Sequence, residues 1–313
     1  MRFRSALVLA LLGLWAITPA RAGQRSAAAP GSPAQQVARM QRDDAWVARA
    51  SAALVSQAPD PSFVKYRDEY LTALPVDAAR PLTRAALDAR LAGARIVLVG
   101  DQHESPEAKE LALSVLAAMR KGGGAVSLAI EFIHPEYQRV LDAYAAGSLD
   151  ESALRERAYR ASAWSFPWPP YRQLLAGAKA AGVPVVAVEP GTHLALVDRD
   201  RGIAERTRAI PGRVLVFYGS YHLLGPAHLA ARLDPDVTIT PSAQDFYWTL
   251  ARRFGLGFDL LELSPRIVFA NQGSPLEGDA ASLRSLMDAF GYGSFAELAT
   301  AFPALKPVPA HLP

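Results

Sequence analysis

A mostly parallel α/β sheet covered by helices on both faces is what this sequence of 313 residues predicts, and three observations predict it. From residue 94 onward, apolar runs at 95–99, 125–130, 183–188, 213–217, 236–240 and 258–263 alternate with helical stretches. These stretches fall at about 106–121, 135–146, 150–160, 170–181, 198–209, 224–233 and 243–254, and such alternation is the signature of a parallel sheet with crossover helices. Second, runs such as Ile96-Val97-Leu98-Val99 and Val214-Leu215-Val216-Phe217 are continuously apolar, as strands buried on both faces are. Third, each of these two runs leads directly into a Gly-x-x-His tetrad, Gly100-Asp101-Gln102-His103 and Gly219-Ser220-Tyr221-His222. The histidines therefore stand at carboxyl ends of strands, where open α/β sheets collect their ligands.

The segments outside this core read differently. Arg2 and Arg4, an apolar stretch from Ala6 to Ile17 and then Ala20-Arg21-Ala22 have the order of a signal peptide over residues 1–22, cleaved after Ala22. The apolar stretch is short for a membrane span, which makes a retained anchor the lesser reading. Cleavage removes three arginines and no acid and takes the formal charge from +3 to 0. The basic balance is thus no argument for nucleic acid, and no nucleic-acid partner is expected. A periplasmic or secreted, soluble protein is expected instead.

Residues 23–38, rich in Ala, Ser, Pro and Gln, are expected to be a flexible leader. Helical patterning at 40–57 and from Arg84 to Leu91 forms an N-terminal helical extension, with Pro59, Pro61, Pro75 and Pro81 punctuating the segment between. The α/β domain is placed at 39–275 with its motif core at 95–233. Residues 276–313 form a C-terminal tail of two short helical patterns and a Pro-rich end, packing over the sheet edge or a partner. Gly122-Gly123-Gly124 precedes a strand and lacks a Gly-Lys-Ser ending, so it is no phosphate loop. Cysteine is absent, which excludes disulfides and lipidation and leaves His, Asp, Glu and Tyr as the metal ligands available.

The residues just past the strand ends define a candidate site. Asp101, His103 and Glu104 come after the first strand, Glu131 and His134 after the second, Glu189 and His193 after the third, Tyr221 and His222 after the fourth. Four of the six histidines thus gather at strand ends. Imidazoles and a carboxylate converging in a cleft, here His103, Glu131 and His222, suit a divalent metal such as zinc or manganese that activates water or binds substrate. Each histidine alone also has an ordinary reading as a loop residue bonded to a backbone carbonyl, and His134 before Pro135 reads as a helix opener. Glu131 ends an apolar strand, where an acid needs a cation or hydrogen-bond donors; the other reading is a helix cap. Asp200 suits the start of a helix, and Arg199 beside it is suited to hold a carboxylate, from Glu131 or from a ligand. The stretch Trp164-Ser165-Phe166-Pro167-Trp168-Pro169-Pro170-Tyr171 makes a stiff greasy loop that either plugs the helix layer or presents a flat surface to a planar ligand, with Tyr171 placed to offer a phenolate to iron.

Together these residues resemble the ChaN-like family of haem-binding uptake proteins, within the Tiki and erythromycin-esterase superfamily. The resemblance runs from about Arg95 to Leu233. It rests on Val-Gly-Asp-Gln-His (99–103), Ile-Glu-Phe (130–132), Trp164 with Pro167 and Tyr171, Arg199-Asp200 with Ala204, and Tyr-Gly-Ser-Tyr-His (218–222). It implies an exported α/β protein of iron acquisition that binds haem, sometimes as stacked haems between two subunits. Tyr171, His103, His222, Trp164 and Tyr221 would then form the haem site, with a homodimer and an outer-membrane uptake receptor as partners. Hydrolases of the same superfamily imply the alternative, a metal-dependent hydrolase with His103, Glu131, Arg199 and His222 as catalytic residues. There the two imidazoles and Glu131 would place a metal ion or act as base, and Arg199 would steady developing negative charge. The sequence departs from the family pattern at Asp101, where Glu is usual, at Glu189, where Asn is common, and in lacking the lipidation cysteine.

Overall fold

The computed structural model describes residues 32–55, 60–191, 193–241 and 244–313. The expected signal peptide and residues 23–31 of the expected leader lie outside them. In chain order the elements are α1 (Pro33–Leu54), α2 (Pro61–Thr72), β1 (Arg80–Pro81), α3 (Arg84–Gly93), β2 (Ile96–Asp101), α4 (Pro106–Lys121) and β3 (Val126–Ile130). Then come α5 (Gln138–Ala145), α6 (Glu151–Leu154), α7 (Trp168–Ala180), β4 (Val185–Ala187), α8 (Leu196–Arg208), β5 (Arg213–Gly219), α9 (Leu229–Leu233) and β6 (Val237–Pro241). The chain ends with α10 (Gln244–Phe254), β7 (Leu260–Ser264), β8 (Ile267–Ala270), α11 (Pro275–Phe290) and α12 (Phe295–Ala301).

The strands form one sheet of eight, ordered β1-β7-β8-β6-β2-β5-β3-β4. The stretch from β8 to β4 is parallel, and β7 and β1 extend it antiparallel. Both faces are dry, which is why the central strands read as unbroken apolar runs. Alternate side chains enter different cores: Val97, Val99, Leu215 and Phe217 face one layer with α3, α4 and α7, whereas Leu98, Val214, Val216 and Tyr218 face the other with α2, α8, α9 and α10. The period of two along a strand dictates that division. A third core joins α1, α10, α11 and α12 around Trp46, Trp248, Leu283 and Leu298, and Trp46 Nε1 ties it to the chain end by donating to the Leu305 carbonyl at 2.6 Å.

Several boundaries differ from expectation. The first helix begins at Pro33, inside the expected leader, because Ser32 and Gln35 close a capping box and Pro33 starts the first turn. Helix α2 lies where prolines suggested punctuation: Asp60 caps it and Pro61 occupies its first turn, where proline's missing N–H costs nothing. The short hairpin strand β8 extends the sheet past 263 and pairs parallel with β6. Positions 276–290 lie in one continuous helix of 16 residues.

Candidate functional site

Register brings the site together. Strands β2 and β5 are adjacent and parallel, with Asp101 opposite Gly219, so the two Gly-x-x-His tetrads leave the sheet side by side. The chain after β2 crosses to β3 on the far side of β5, and the chain after β5 crosses to β6 on the far side of β2. Such a divergence is a topological switch point, and it opens a crevice at the strand ends. The cleft there has a volume of about 560 Å³ and is lined by Asp101, His103, Glu131, Arg199 and His222 among polar groups, with Phe63, Tyr66, Phe166 and Tyr221 as its aromatic wall.

Each imidazole is held from behind by an aspartate and a tyrosine. His103 Nδ1 donates to Asp101 Oδ2 at 2.9 Å, and the Tyr171 hydroxyl donates to the same oxygen at 2.8 Å. His222 Nδ1 donates to Asp200 Oδ1 at 2.6 Å, while the Tyr66 hydroxyl donates to Asp200 Oδ2 and stands 2.9 Å from His222 Nδ1. Because carboxylates accept, Nδ1 carries the hydrogen in each couple and Nε2 keeps the lone pair. Burial disfavours the His103 cation, but the Asp101 hydrogen bond and the charges of Glu131 and Asp101 outweigh it and raise the pKa. Burial pushes the Asp101 carboxyl up, yet His103 and Lys109 together bring it below the ordinary carboxylate range. Burial first, and the neighbouring Asp101 charge second, drive the Tyr171 phenol far above its usual value.

Glu131 is met by donors, as an acid at that depth requires. The Gly219 N–H donates to its Oε2 at 2.7 Å and Arg199 Nη2 to its Oε1 at 3.4 Å. Arg199 is anchored chiefly by Glu189, through Nη2 at 2.6 Å and Nε at 3.2 Å. Among the described residues no acceptor meets its Nη1, leaving one face of the guanidinium for an anion. Gly219 is where these groups converge: a Cβ there would lie 3.2 Å from Glu131 Oε2 and 3.4 Å from His103 Nε2.

Five of the residues expected from the sequence, His103, Glu131, Arg199, His222 and Tyr221, line the one cleft. Trp164 packs edge-on against the His103 ring at 4.9 Å. Tyr171 is fully buried behind His103 with its hydroxyl given to Asp101, so it meets the cleft only through that pair. His134 opens a 3-10 turn, and its backbone N–H donates to the Ser162 hydroxyl. The expected metal trio requires correction: among the described residues, no three His, Asp or Glu side chains group closely enough to hold an ion. The Glu131 oxygens are directed to the Gly219 N–H and Arg199.

Sequence reasoning missed Tyr66 and Lys109. Tyr66 comes from α2, itself unanticipated. Lys109 carried a signal, a lone charge on the apolar face of α4 beside Ala108, Ala112 and Val115.

An α/β protein with paired Asp-His couples at a strand-end cleft is therefore the class that the fold and site define. Residues 87–209 match the family model described as haem-binding uptake, Tiki superfamily, ChaN, the family that the motifs resemble. Among solved structures, the chain is similar to ChaN of Campylobacter jejuni, described with cofacial haem binding, at 14% identity over 54% of this chain and 90% of that one, TM-score 0.44. It is also similar to the type III effector HopBA1, at 14% identity over 64% of this chain and 93% of that one, TM-score 0.43. A region of the Pasteurella multocida toxin is similar at 13% identity, over 57% of this chain and 26% of the toxin structure, TM-score 0.38. These are likenesses of fold. No curated protein matches. Among the described residues, no helix is long and apolar enough to cross a membrane.

Proposed function

We propose that the protein is an exported haem-binding protein of iron acquisition, holding its ligand at the carboxyl ends of β2, β3 and β5. The observation that carries this reading is the His103 couple. Its Nδ1 is fixed on Asp101, its Nε2 stands toward Gly219 at the cleft, and its ring lies beside Phe166, 4.4 Å away between ring centroids. A histidine so anchored is oriented and made more basic toward a metal at its other nitrogen. The residues fit the group: His103 would ligate the iron, the aromatic wall would lie along the macrocycle, and the open Nη1 of Arg199 would receive a propionate. When bound, haem would supply a redox-active iron. The chain's own residues would orient it. Tyr171 supports His103 from behind rather than reaching iron itself. An uptake role implies delivery to an outer-membrane receptor, and a homodimer would let two such clefts face each other.

Haemin added to the purified protein should give a Soret band that His103→Ala loses and Tyr171→Phe keeps with weaker affinity. A band that survives His103→Ala and disappears in Tyr171→Phe would reverse the assignment.

One observation favours a second reading. His222, backed by Asp200 and Tyr66, lines the same cleft, and a single iron ligand does not require it. There His222 would take a proton from water attacking a carbonyl, protonated His103 would donate to the leaving group, and Arg199 on the same cleft would steady the developing negative charge. Ester hydrolysis by haem-free protein, abolished in His222→Ala, would establish that reading.

A further inference from the structure

Lys109 is a costly residue for its position. Its side chain is 0% exposed, and lysines are almost never fully buried without a partner. All three ammonium donors are used, on Asp101 Oδ1 at 2.7 Å and on the carbonyls of Gln102 at 3.0 Å and His103 at 2.8 Å. The nitrogen also lies 4.3 Å from the centre of the Tyr171 ring, within cation-π range. Holding the two carbonyls would need only a neutral donor. A cation acts on the charge of Asp101 as well.

Asp101 divides its two oxygens between opposing demands. Oδ1 meets Lys109, and Oδ2 accepts from both His103 and Tyr171. Negative charge drawn toward Oδ1 leaves Oδ2 a weaker acceptor, so the imidazole keeps more of its Nδ1 hydrogen and gains less electron density. Among the described residues, the titratable groups acting on the His103 ring include Asp101, Glu131, Lys109 and the Tyr171 hydroxyl, and the rings of Trp164 and Phe166 pack on it. Lys109 is the cation in direct contact with Asp101.

We propose that Lys109 is a positioning residue that moderates the Asp101-His103 couple, holding the β2–α4 loop in place and setting how strongly the Nε2 nitrogen donates to whatever occupies the cleft. The ligand's identity as haem rests on the function proposed above. The polarisation of the imidazole belongs to the chain alone. Outer hydrogen bonds to a metal-binding histidine tune the metal's potential, so a moderated couple would hold an iron ligated by His103 at a higher potential than an unopposed carboxylate would.

The test compares Lys109→Met, which keeps the length and removes the charge, with Lys109→Arg, which keeps the charge. In haem-free protein, the NMR resonance of the His103 Nδ1–H, identified by its loss in His103→Gln, should move downfield in Lys109→Met and stay near its position in Lys109→Arg. With haemin bound, the reduction potential should shift negative in Lys109→Met alone. Lysine acting only as a filler of space would move neither. Should Lys109→Met not fold, Lys109→Gln, which can still donate to the carbonyls, serves in its place. An unmoved Nδ1–H in a folded neutral variant overturns the assignment whether or not haemin binds. A moved resonance without any Soret band supports the role of Lys109 and removes the haem reading.

Discussion

Gly219 shows how narrow the tolerances of the cleft are. Its φ of −46° is open to any L-residue, so its lack of a side chain answers to space and not to backbone. A Cβ would stand 3.2 Å from Glu131 Oε2 and 3.3 Å from His103 Cε1, where the neighbours must give by a few tenths of an ångström. Gly219→Ala should therefore cost about 1–3 kcal/mol of stability by overpacking and weaken haemin binding at least tenfold, since one displaced imidazole changes the whole site. Urea unfolding and Soret titration check the two effects separately, and undiminished affinity would show that His103 and Glu131 are not jointly engaged. His103, His222 and Glu131 were legible in the sequence because they come after strands whose ends are easy to read, and Arg199 because it stands beside Asp200 at the opening of a helix. The depth of Tyr171 was not, since an aromatic in a Pro-rich stretch looks the same whether it lines a cleft or supports the residue that does.

At the level of elements, α8 is fastened to the sheet end by charge. Its Arg199 holds Glu189, which lies just past β4, and touches Glu131, which lies just past β3, with the Arg199 side chain 11% exposed and that of Glu189 1% exposed. Burial pushes the Glu189 carboxyl up, but the hydrogen bond and charge of Arg199, with Tyr218 and the Gly191 N–H, outweigh it and lower its pKa. A carboxyl depressed in the fold contributes stability that is complete above its unfolded value, about 4.3, and is lost as pH falls through the folded value. Glu189→Gln should thus cost about 3–5 kcal/mol at neutral pH by leaving Arg199 without its main counter-charge, and should flatten the fall in stability below about pH 5. Urea midpoints across an acid series measure both, and parallel slopes for the two proteins would dissociate Glu189 from the acid response. Of the elements themselves, the six apolar strands were legible, though β4 spans only Val185–Ala187, as were the helices between them, with α6 and α9 shorter than their expected stretches. Helix α2 was hidden because Asp60-Pro61 reads equally as a turn and as a helix start, and a sequence shows no packing partner to choose between them. Since Tyr66 rides on α2, losing the helix meant losing the tyrosine that backs the second couple.

Across the whole molecule, the cleft exists only when distant segments are assembled. His103 comes after β2, Glu131 after β3 and His222 after β5, while Arg199 and Asp200 sit on α8 and Tyr66 on α2. The sequence could place these groups at strand ends, but which ends adjoin is fixed by strand order, and β5 inserting between β2 and β3 has no local signal. An unfolded chain therefore holds no version of the site, and a ligand's binding energy goes wholly to the folded state. Haemin present at about one hundred times its dissociation constant should raise the unfolding free energy by about 2.7 kcal/mol, and His103→Ala should lose that increment while keeping most of its ligand-free stability. Urea unfolding with and without haemin measures the difference. Equal stabilisation of both proteins would mean that haemin binds elsewhere on the surface, and the strand-end cleft would then be left to the acid and base chemistry of its two imidazoles.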